Sequence, residues 1–137
     1  MKIVLDTNIL VSAFAIGGDP ARILDLVVDG IVEGVTSEKL IDELTRVLGS
    51  KFGFDTQQLR QIEKIIRSAF NIVKPPSNPP AISRDPDDDH VLAVAKEVEV
   101  DIVVSGDKDL LVLKQYLNIQ IMTATEFLLE AVDKSVD

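Results

Sequence analysis

Acidic residues follow two of the apolar, strand-like segments of this chain. Asp6 comes directly after Lys2-Ile3-Val4-Leu5, and Asp107 stands two residues beyond Asp101-Ile102-Val103-Val104-Ser105. Because the carboxyl ends of parallel strands meet at one edge of a sheet, we expect both carboxylates at that edge. A strand-end Asp taken alone is equally well explained as a turn or helix cap. Asp109 fits that simpler role, since it precedes an apolar pair where a helix cap is needed.

Further acids fall on predicted helices. The segment Asp85-Pro86-Asp87-Asp88-Asp89 places four acids at one helix start, although one or two suffice to complement the positive end of a helix dipole. Asp88 shares an inward stripe with the apolar residues three, four and seven positions later, whereas Asp89 faces nearer the polar side. Glu43 lies at the margin of the apolar stripe of an earlier helix. A lone helical Glu is usually a solvated surface residue, so Glu43 is weak support by itself.

Four acids from both halves of the chain therefore point towards one pocket. Converging carboxylates raise one another's pKa unless a cation relieves the repulsion. The chain has no cysteine and a single histidine, so a metal would be held by oxygen ligands, which suits Mg²⁺ or Mn²⁺. Mg²⁺ typically takes few carboxylates and keeps its waters for chemistry. One-metal and two-metal sites both remain open.

Strands alternate with helices along the chain, which predicts a three-layer α/β/α fold with a central, mainly parallel sheet. The 137 residues are the length of one domain, so residues 1–137 are predicted to form a single unit. Residues 74–80 contain four prolines and are expected to form a stiff surface connection. Strands are predicted at 2–5, 30–36, 72–73, 101–105 and 119–122, and helices at about 20–29, from Ser37, from Asp55, from Asp85-Pro86, at 110–115 and from Thr123. Ser37 is predicted to cap its helix, Asp55 and Gln58 to form a capping box, and Thr123 with Glu126 to cap the last helix.

The net charge of −9 is unusual for a nucleic-acid-binding protein, although bound cations reverse the local field of an acidic site. No apolar run is long enough to cross a membrane and no secretory leader is apparent, so a cytoplasmic protein is expected. The middle of the chain is more basic and could supply phosphate contacts or simply a solvated helix face. Its basic residues are Lys51, Arg60, Lys64, Arg67 and Lys74.

Four segments resemble the motifs of the PIN-domain family, notably the toxin-type (VapC-like) ribonucleases of prokaryotic toxin–antitoxin pairs. The resemblance runs from Lys2 to about Phe127, and the second motif is weak alone. In the third motif, Ala93 and Ala95 stand five and seven residues after Asp88 and select it as the family's acid, with Asp89 a plausible second ligand. The four segments are residues 3–10, 37–44, 85–95 and 104–111.

The resemblance implies a specific site and specific partners. Asp6, Glu43, Asp88 and Asp107 would form a four-carboxylate Mg²⁺ or Mn²⁺ site that makes the protein a metal-dependent endoribonuclease. Asn8 and Ser105 would orient the carboxylates or bound water; many family members carry Thr where this chain has Ser105, and the hydroxyl is retained. The resemblance also implies an RNA substrate and a cognate antitoxin protein, and homodimers are common among similar proteins.

Two alternatives stay open at this point. A phosphotransfer domain of the receiver or haloacid-phosphatase type also places Asp at strand ends and binds Mg²⁺. Asp6-Thr7-Asn8 lacks the second Asp that the phosphatase pattern requires two residues after the first. A catalytically inactive PIN-fold binding module is the other alternative, and the intact acid quartet argues against it.

Overall fold

Six strands form one sheet with the order β3-β2-β1-β4-β6-β5 in a computed structural model that describes residues 1–76, 81–82 and 85–136. All neighbouring strands are parallel except β5, which runs antiparallel to β6 at one edge. The predicted mainly parallel α/β fold is therefore confirmed. The strands are β1 (Lys2–Leu5), β2 (Glu33–Thr36), β3 (Phe70–Ile72), β4 (Ile102–Val104), β5 (Gln115–Tyr116) and β6 (Ile119–Met122).

Helices cover both faces of this sheet and produce the three layers. Helices α1 to α4 pack together and with α7, whereas α5 packs on β1, β2 and β4. Within the described residues the helices are α1 (Thr7–Ala15), α2 (Gly18–Val28), α3 (Glu38–Phe52), α4 (Thr56–Ala69), α5 (Pro86–Glu97), α6 (Lys108–Leu111) and α7 (Ala124–Val136). None of the helices in these described ranges is long and apolar enough to span a membrane.

The apolar residues of the central strands point alternately into two cores. In β1, Ile3 and Leu5 belong to the core beneath α1, α2 and α3, whereas Val4 belongs to the core beneath α5. In β4, Ile102 and Val104 again lie on the first side. Alternation with both faces buried explains why these strands are continuous apolar runs in the sequence. The two cores fix the orientation of every strand end that carries an acid.

The first core also contains a close approach between β2 and its neighbours. A Cβ atom placed on Gly34 would lie 2.6 Å from the ring of Phe70 and 2.7 Å from Cγ1 of Val27. No real side chain tolerates such contacts, so glycine is required for β3 and α2 to pack closely against β2. The position of β2 matters for the site because α3, which carries Glu43, follows directly from it.

Three predicted caps are confirmed. Ser37 accepts a hydrogen bond from the Leu40 backbone N–H and begins α3. Asp55 and Gln58 form a reciprocal capping box at the start of α4. The predicted pair at the start of α7, Thr123 and Glu126, makes the same reciprocal contacts at 3.2 Å. Side-chain oxygens at these positions satisfy backbone N–H groups that a helix start leaves unpaired.

One helix was not predicted, and the predicted position of another was wrong. Helix α1, which was not predicted, begins at Thr7 and continues to Ala15. The predicted helix 110–115 is displaced: Asp107 caps α6 at Lys108, and Lys114 adopts a positive φ of 59° that sends the chain into β5. Strand β5 was not predicted because two residues give no detectable periodicity. Residues 77–80 of the predicted proline-rich connection lie outside the described residues.

Candidate metal centre

Asp6 and Ser105 lie at the point where the strand order changes direction. From β1 the chain adds strands on one side through β2 and β3, and on the other side through β4 and β6. Ligands of open α/β sheets bind at the carboxyl ends of the strands at such a point. Asp6 follows the last residue of β1 and Ser105 follows the last residue of neighbouring β4, with the Asp6 N–H donating to the carbonyl of Val104 at 3.0 Å.

Three of the predicted acids converge at this edge. One carboxylate oxygen from each of Asp6, Asp88 and Asp107 lies within 4.8 Å of the other two. Asp88 is 3 % exposed and Asp6 is 7 % exposed, which is rare for carboxylates, and Asp107 is half-buried. Asp88 reaches the group from the first turn of α5, so its predicted position on the inward stripe of that helix agrees with the structure.

Hydrogen bonds hold the two strand-end acids in fixed orientations. The Ser105 hydroxyl donates to Oδ2 of Asp6 at 2.8 Å, and the Thr7 N–H donates to Oδ1 at 2.7 Å. The Asp107 N–H donates to Oγ of Ser105 at 2.9 Å, while Oδ1 of Asp107 accepts from the Asp109 N–H at 2.8 Å. Ser105 therefore joins the two acids, as expected for a residue that orients carboxylates.

Glu43 lies at the border of this group. Its Oε2 accepts a 3.0 Å hydrogen bond from the hydroxyl of Thr7, so α3 is tied directly to the first residue of α1. Glu43 is not within 4.8 Å of all three other acids, but its charge is close enough to raise the pKa of Asp6. Thr7 was assigned no separate role from its sequence position, although its place beside Asp6 was the available indication.

The buried acids resist ionisation when no cation is bound. Burial is the main cause that raises the pKa of Asp88 from 3.8 to about 7, and the charges of Asp107 and Asp6 add to it. Burial also raises the pKa of Asp6, because the hydrogen bonds from Ser105 and Thr7 offset only part of that penalty. Repulsion by Asp107 and Glu43 acts in the same direction. A site with these properties favours a positive ligand.

Comparison with known proteins assigns this arrangement to a family. The family model described as "PIN domain" matches residues 2–109, which include all four acids. The chain belongs to the PIN-domain family. The protein thus has a nuclease-type fold, and its buried acidic cluster is compatible with a metal site. No curated protein matches the chain significantly.

The donor set of this PIN domain suits a hard divalent cation. All three converging ligands are carboxylates, and no thiolate exists in the chain. Mg²⁺ and Mn²⁺ prefer oxygen donors and keep several waters when few carboxylates bind them. The raised pKa of Asp88 and Asp6 is the penalty that such an ion would relieve. Asp6, Asp88 and Asp107 would hold the ion, with Glu43 beside them.

The remaining predicted residues of the PIN domain occupy different places. Asp89 turns away from the acid group, since its Oδ1 accepts a 2.9 Å hydrogen bond from the N–H of Ile82. Asp109 lies in the first turn of α6 and is not the cap, because Asp107 itself caps that helix. Asn8 is exposed in the first turn of α1. The structure therefore brings Asp88, rather than Asp89, to the three-acid group.

His90 on α5 contacts the start of α3, which its position in the sequence does not indicate. It is half-buried, and its Nε2 lies 2.8 Å from the hydroxyl oxygen of Ser37. Burial lowers the pKa of His90, and the positive charge of Lys39 acts in the same direction against the opposing effect of Asp87. Both effects favour the neutral form of the imidazole. Ser37 was predicted only as a helix cap, so this contact between α3 and α5 was missed.

Basic residues near the acids are not those that the composition singled out. Arg67, on α4, donates two 2.7 Å hydrogen bonds to Glu38 and two more, at 2.9 and 3.1 Å, to Glu63. These acids offset its charge, and the network raises its pKa further. Lys39 and Arg46 instead flank Glu43 by about one helical turn on each side. They are the exposed cations of α3 nearest in sequence to an acid of the site.

Proposed function

We propose that this PIN domain is a metal-dependent endoribonuclease that hydrolyses RNA phosphodiester bonds at the Asp6, Asp88 and Asp107 centre. The observation that carries the proposal is the convergence of three carboxylate oxygens within 4.8 Å at the carboxyl edge of the sheet. Membership of the family favours this activity over the phosphotransfer alternative. The metal is proposed to be Mg²⁺ or Mn²⁺.

The chain's own residues prepare this site in three ways. Asp6, Asp88 and Asp107 supply negative oxygens, and Ser105 and the Thr7 backbone keep Asp6 in one orientation. Glu43 stands at the border of the group, where it can accept a proton or complete the ligand set. A divalent ion bound there would acidify its water and stabilise charge on the phosphate. Water then adds across a P–O bond, leaving a phosphate on one fragment and a hydroxyl on the other.

The test is cleavage of a panel of structured single-stranded RNAs with Mg²⁺ or Mn²⁺, combined with calorimetric titration of Mn²⁺. We expect cutting that needs metal and falls at least about 100-fold in both Asp6→Asn and Asp88→Asn, since each removes an ionised ligand. Asp42→Asn is the matched control, because Asp42 is exposed on α3 beside Glu43. Asp89→Asn should retain most of the activity, because the Asp89 carboxylate binds the backbone of Ile82.

Each other outcome identifies a different error. Activity that persists in both site variants would show that the cutting comes from a contaminant or another site. Metal binding without cutting of any RNA would argue against an endoribonuclease of broad range and would favour the phosphotransfer alternative. Trapping of a covalent aspartyl-phosphate would detect that activity. Absence of both metal binding and cutting would favour an inactive PIN-fold binding module.

We further propose that the protein is the toxin of a toxin–antitoxin pair that acts on cytoplasmic RNA. The support is the resemblance of its motifs to toxin-type members of the family. Induced expression of the wild-type chain should arrest growth of a bacterial host, and Asp88→Asn should not. A cognate antitoxin protein should restore growth, and size-exclusion chromatography with light scattering will show whether the toxin is a homodimer. Growth that is unaffected by the wild-type chain would contradict the toxin role without affecting the nuclease test.

A further inference from the structure

Helices α3 and α5 carry two acids of the site from opposite faces of the sheet. Most of α3 packs with α1 and α4, and its Leu44 and Leu48 are buried in the first core, whereas Leu40 in its first turn is buried in the second core. Helix α5 packs on β1, β2 and β4, and its Val91 is buried in the second core. The first turn of α3 therefore shares the second core with α5, whereas the turns beyond it are positioned by other apolar contacts. The hydrogen bond from Thr7 ties Glu43 to the end of β1, and a contact between α3 and α5 can add to what sets the place of Glu43 relative to Asp88.

A polar contact joins the first turns of these helices at that edge. Nε2 of His90 lies 2.8 Å from Oγ of Ser37, and Ser37 is only 2 % exposed. Ser37 precedes α3 directly, and His90 stands two residues after Asp88 on α5. The contact therefore connects the start of the helix that carries Glu43 with the turn that carries Asp88.

The Ser37 hydroxyl can serve both of its neighbours at once. Its oxygen accepts a hydrogen bond from the Leu40 N–H at 3.3 Å, and its single hydrogen can point to Nε2 of a neutral His90. This assignment places the imidazole hydrogen on Nδ1. One hydroxyl thus caps the start of α3 and connects it to α5, so movement of either helix start would break a half-buried hydrogen bond.

The nearby ion pair is a weaker connection of the same kind. Nζ of Lys39 lies 3.4 Å from Oδ1 of Asp87, but both side chains are well exposed, at 48 % and 66 %. Exposed ion pairs are screened by water and salt and contribute little to the geometry of a site. The directional and less exposed contact between Ser37 and His90 is therefore the stronger of these two polar connections, and it adds to the apolar packing of Leu40 in the second core.

We propose that His90 is a positioning residue that acts through Ser37 to hold Glu43 beside the Asp6, Asp88 and Asp107 group. The inference rests on the proposed function, because it assigns His90 to the metal site of that reaction. His90 donates no ligand and transfers no proton in this role. Its effect on the site passes through α3 and therefore requires the Glu43 carboxylate.

Calorimetric Mn²⁺ titration of the full chain tests this role without measuring catalysis. We expect His90→Ala and Ser37→Gly each to weaken Mn²⁺ binding by about tenfold, which is typical when a residue that supports a ligand is lost. Glycine is chosen at position 37 because it is tolerated as a helix N-cap. The double variant should bind as each single variant does, and His90→Gln, which can still reach Ser37, should recover most of the affinity.

A second background separates positioning from general damage. In Glu43→Gln, the further change His90→Ala should produce no additional loss of Mn²⁺ affinity. Lys96→Ala, an exposed change on α5, is the control and should bind as the wild type does. Thermal unfolding of every variant in chelator shows that the chains remain folded at the titration temperature.

Two results would overturn the role, and they are distinguishable from failure of the function. Unchanged Mn²⁺ affinity in folded His90→Ala, or an equal further loss in the Glu43→Gln background, would exclude positioning through Glu43 while the metal site stands. A wild-type chain that binds no Mn²⁺ would overturn the proposed function and the positioning role together.

Discussion

The hydroxyl of Ser105 donates a 2.8 Å hydrogen bond to Oδ2 of Asp6, and the two residues are 99 positions apart in the chain. This bond joins the ends of β1 and β4, the central pair of parallel strands. It also favours the ionised form of a carboxylate whose burial and acidic neighbours raise its pKa. Ser105 therefore contributes to the readiness of Asp6 to bind a cation.

Ser105→Ala should weaken Mn²⁺ binding by about tenfold at pH 6 and by less at pH 8. Loss of the donor raises the pKa of Asp6 further, so protons compete with the metal most strongly at low pH. Calorimetric titration at both pH values measures this difference. Ser105→Thr keeps the hydroxyl and is the matched control. A loss of Mn²⁺ affinity in Ser105→Ala that does not change with pH would contradict the electrostatic explanation.

Without metal, Asp88→Asn should stabilise the protein at pH 8 and have little effect near pH 4. The pKa of Asp88 in the folded state is raised from 3.8 to about 7. Protonated Asp88 therefore contributes fully to the stability of the folded state below pH 3.8, and this contribution is lost as pH rises through about 7. Asparagine removes the charge that the folded state disfavours above that pH. We expect a gain of at least about 1 kcal/mol, or ~3 °C in Tm, at pH 8.

Thermal unfolding in chelator at pH 4 and pH 8 measures this effect. Millimolar Mg²⁺ or Mn²⁺ should raise the Tm of the wild type at pH 8 and leave Asp88→Asn nearly unchanged, because a ligand stabilises only the state that binds it. Asp42→Asn, an exposed change, is the control. A variant less stable than the wild type at pH 8 would show that Asp88 is ionised without cost in the metal-free fold.

Local sequence patterns predicted much of this fold, and contacts between distant segments account for what they missed. Ser37 and Asp55 were recognisable as caps because a cap depends on neighbours within three residues. Helix α1 was missed because its first residues, Thr7 and Asn8, favour turns when they are considered alone. Tertiary packing of Ile9 and Leu10 in the first core overrides that preference.

The candidate site likewise contains residues that local sequence patterns predicted and contacts that they could not predict. The positions of Asp6, Asp88 and Asp107 followed from strand ends and a helical stripe, which are local features of the sequence. The bond between Thr7 and Glu43 and the contact between Ser37 and His90 cross 36 and 53 residues and depend on how α3 meets α1 and α5. Composition likewise could not show that the guanidinium of Arg67 is hydrogen-bonded to Glu38 and Glu63.

Gly34→Ala should destabilise the protein by about 1–3 kcal/mol, the usual cost of forcing an extra methyl group into a packed core. The new Cβ would lie 2.6 Å from the Phe70 ring and 2.7 Å from Val27, so β3 or α2 must move. Denaturant unfolding measures the change. Gly49→Ala, in the interior of α3, is the control, because its Cβ would lie an acceptable 3.4 Å from the side chain of Leu59 on α4. Alanine is favoured over glycine inside a helix by up to about 1 kcal/mol. Equal effects of the two substitutions would contradict the close approach.

Arg46→Gln should raise the KM for RNA cleavage several-fold and leave kcat nearly unchanged. Arg46 is exposed on α3 one turn beyond Glu43, where it can contact a phosphate beside the scissile bond in both ground and transition states. Because such a contact releases counterions, the difference from wild type should shrink between 50 and 200 mM salt. Steady-state cleavage at both salt concentrations measures it. Arg22→Gln is the control for net charge, because Arg22 lies on α2 and its side chain is 77 % exposed. An equal rise in KM in Arg22→Gln would assign the effect to overall charge rather than to a contact at the site.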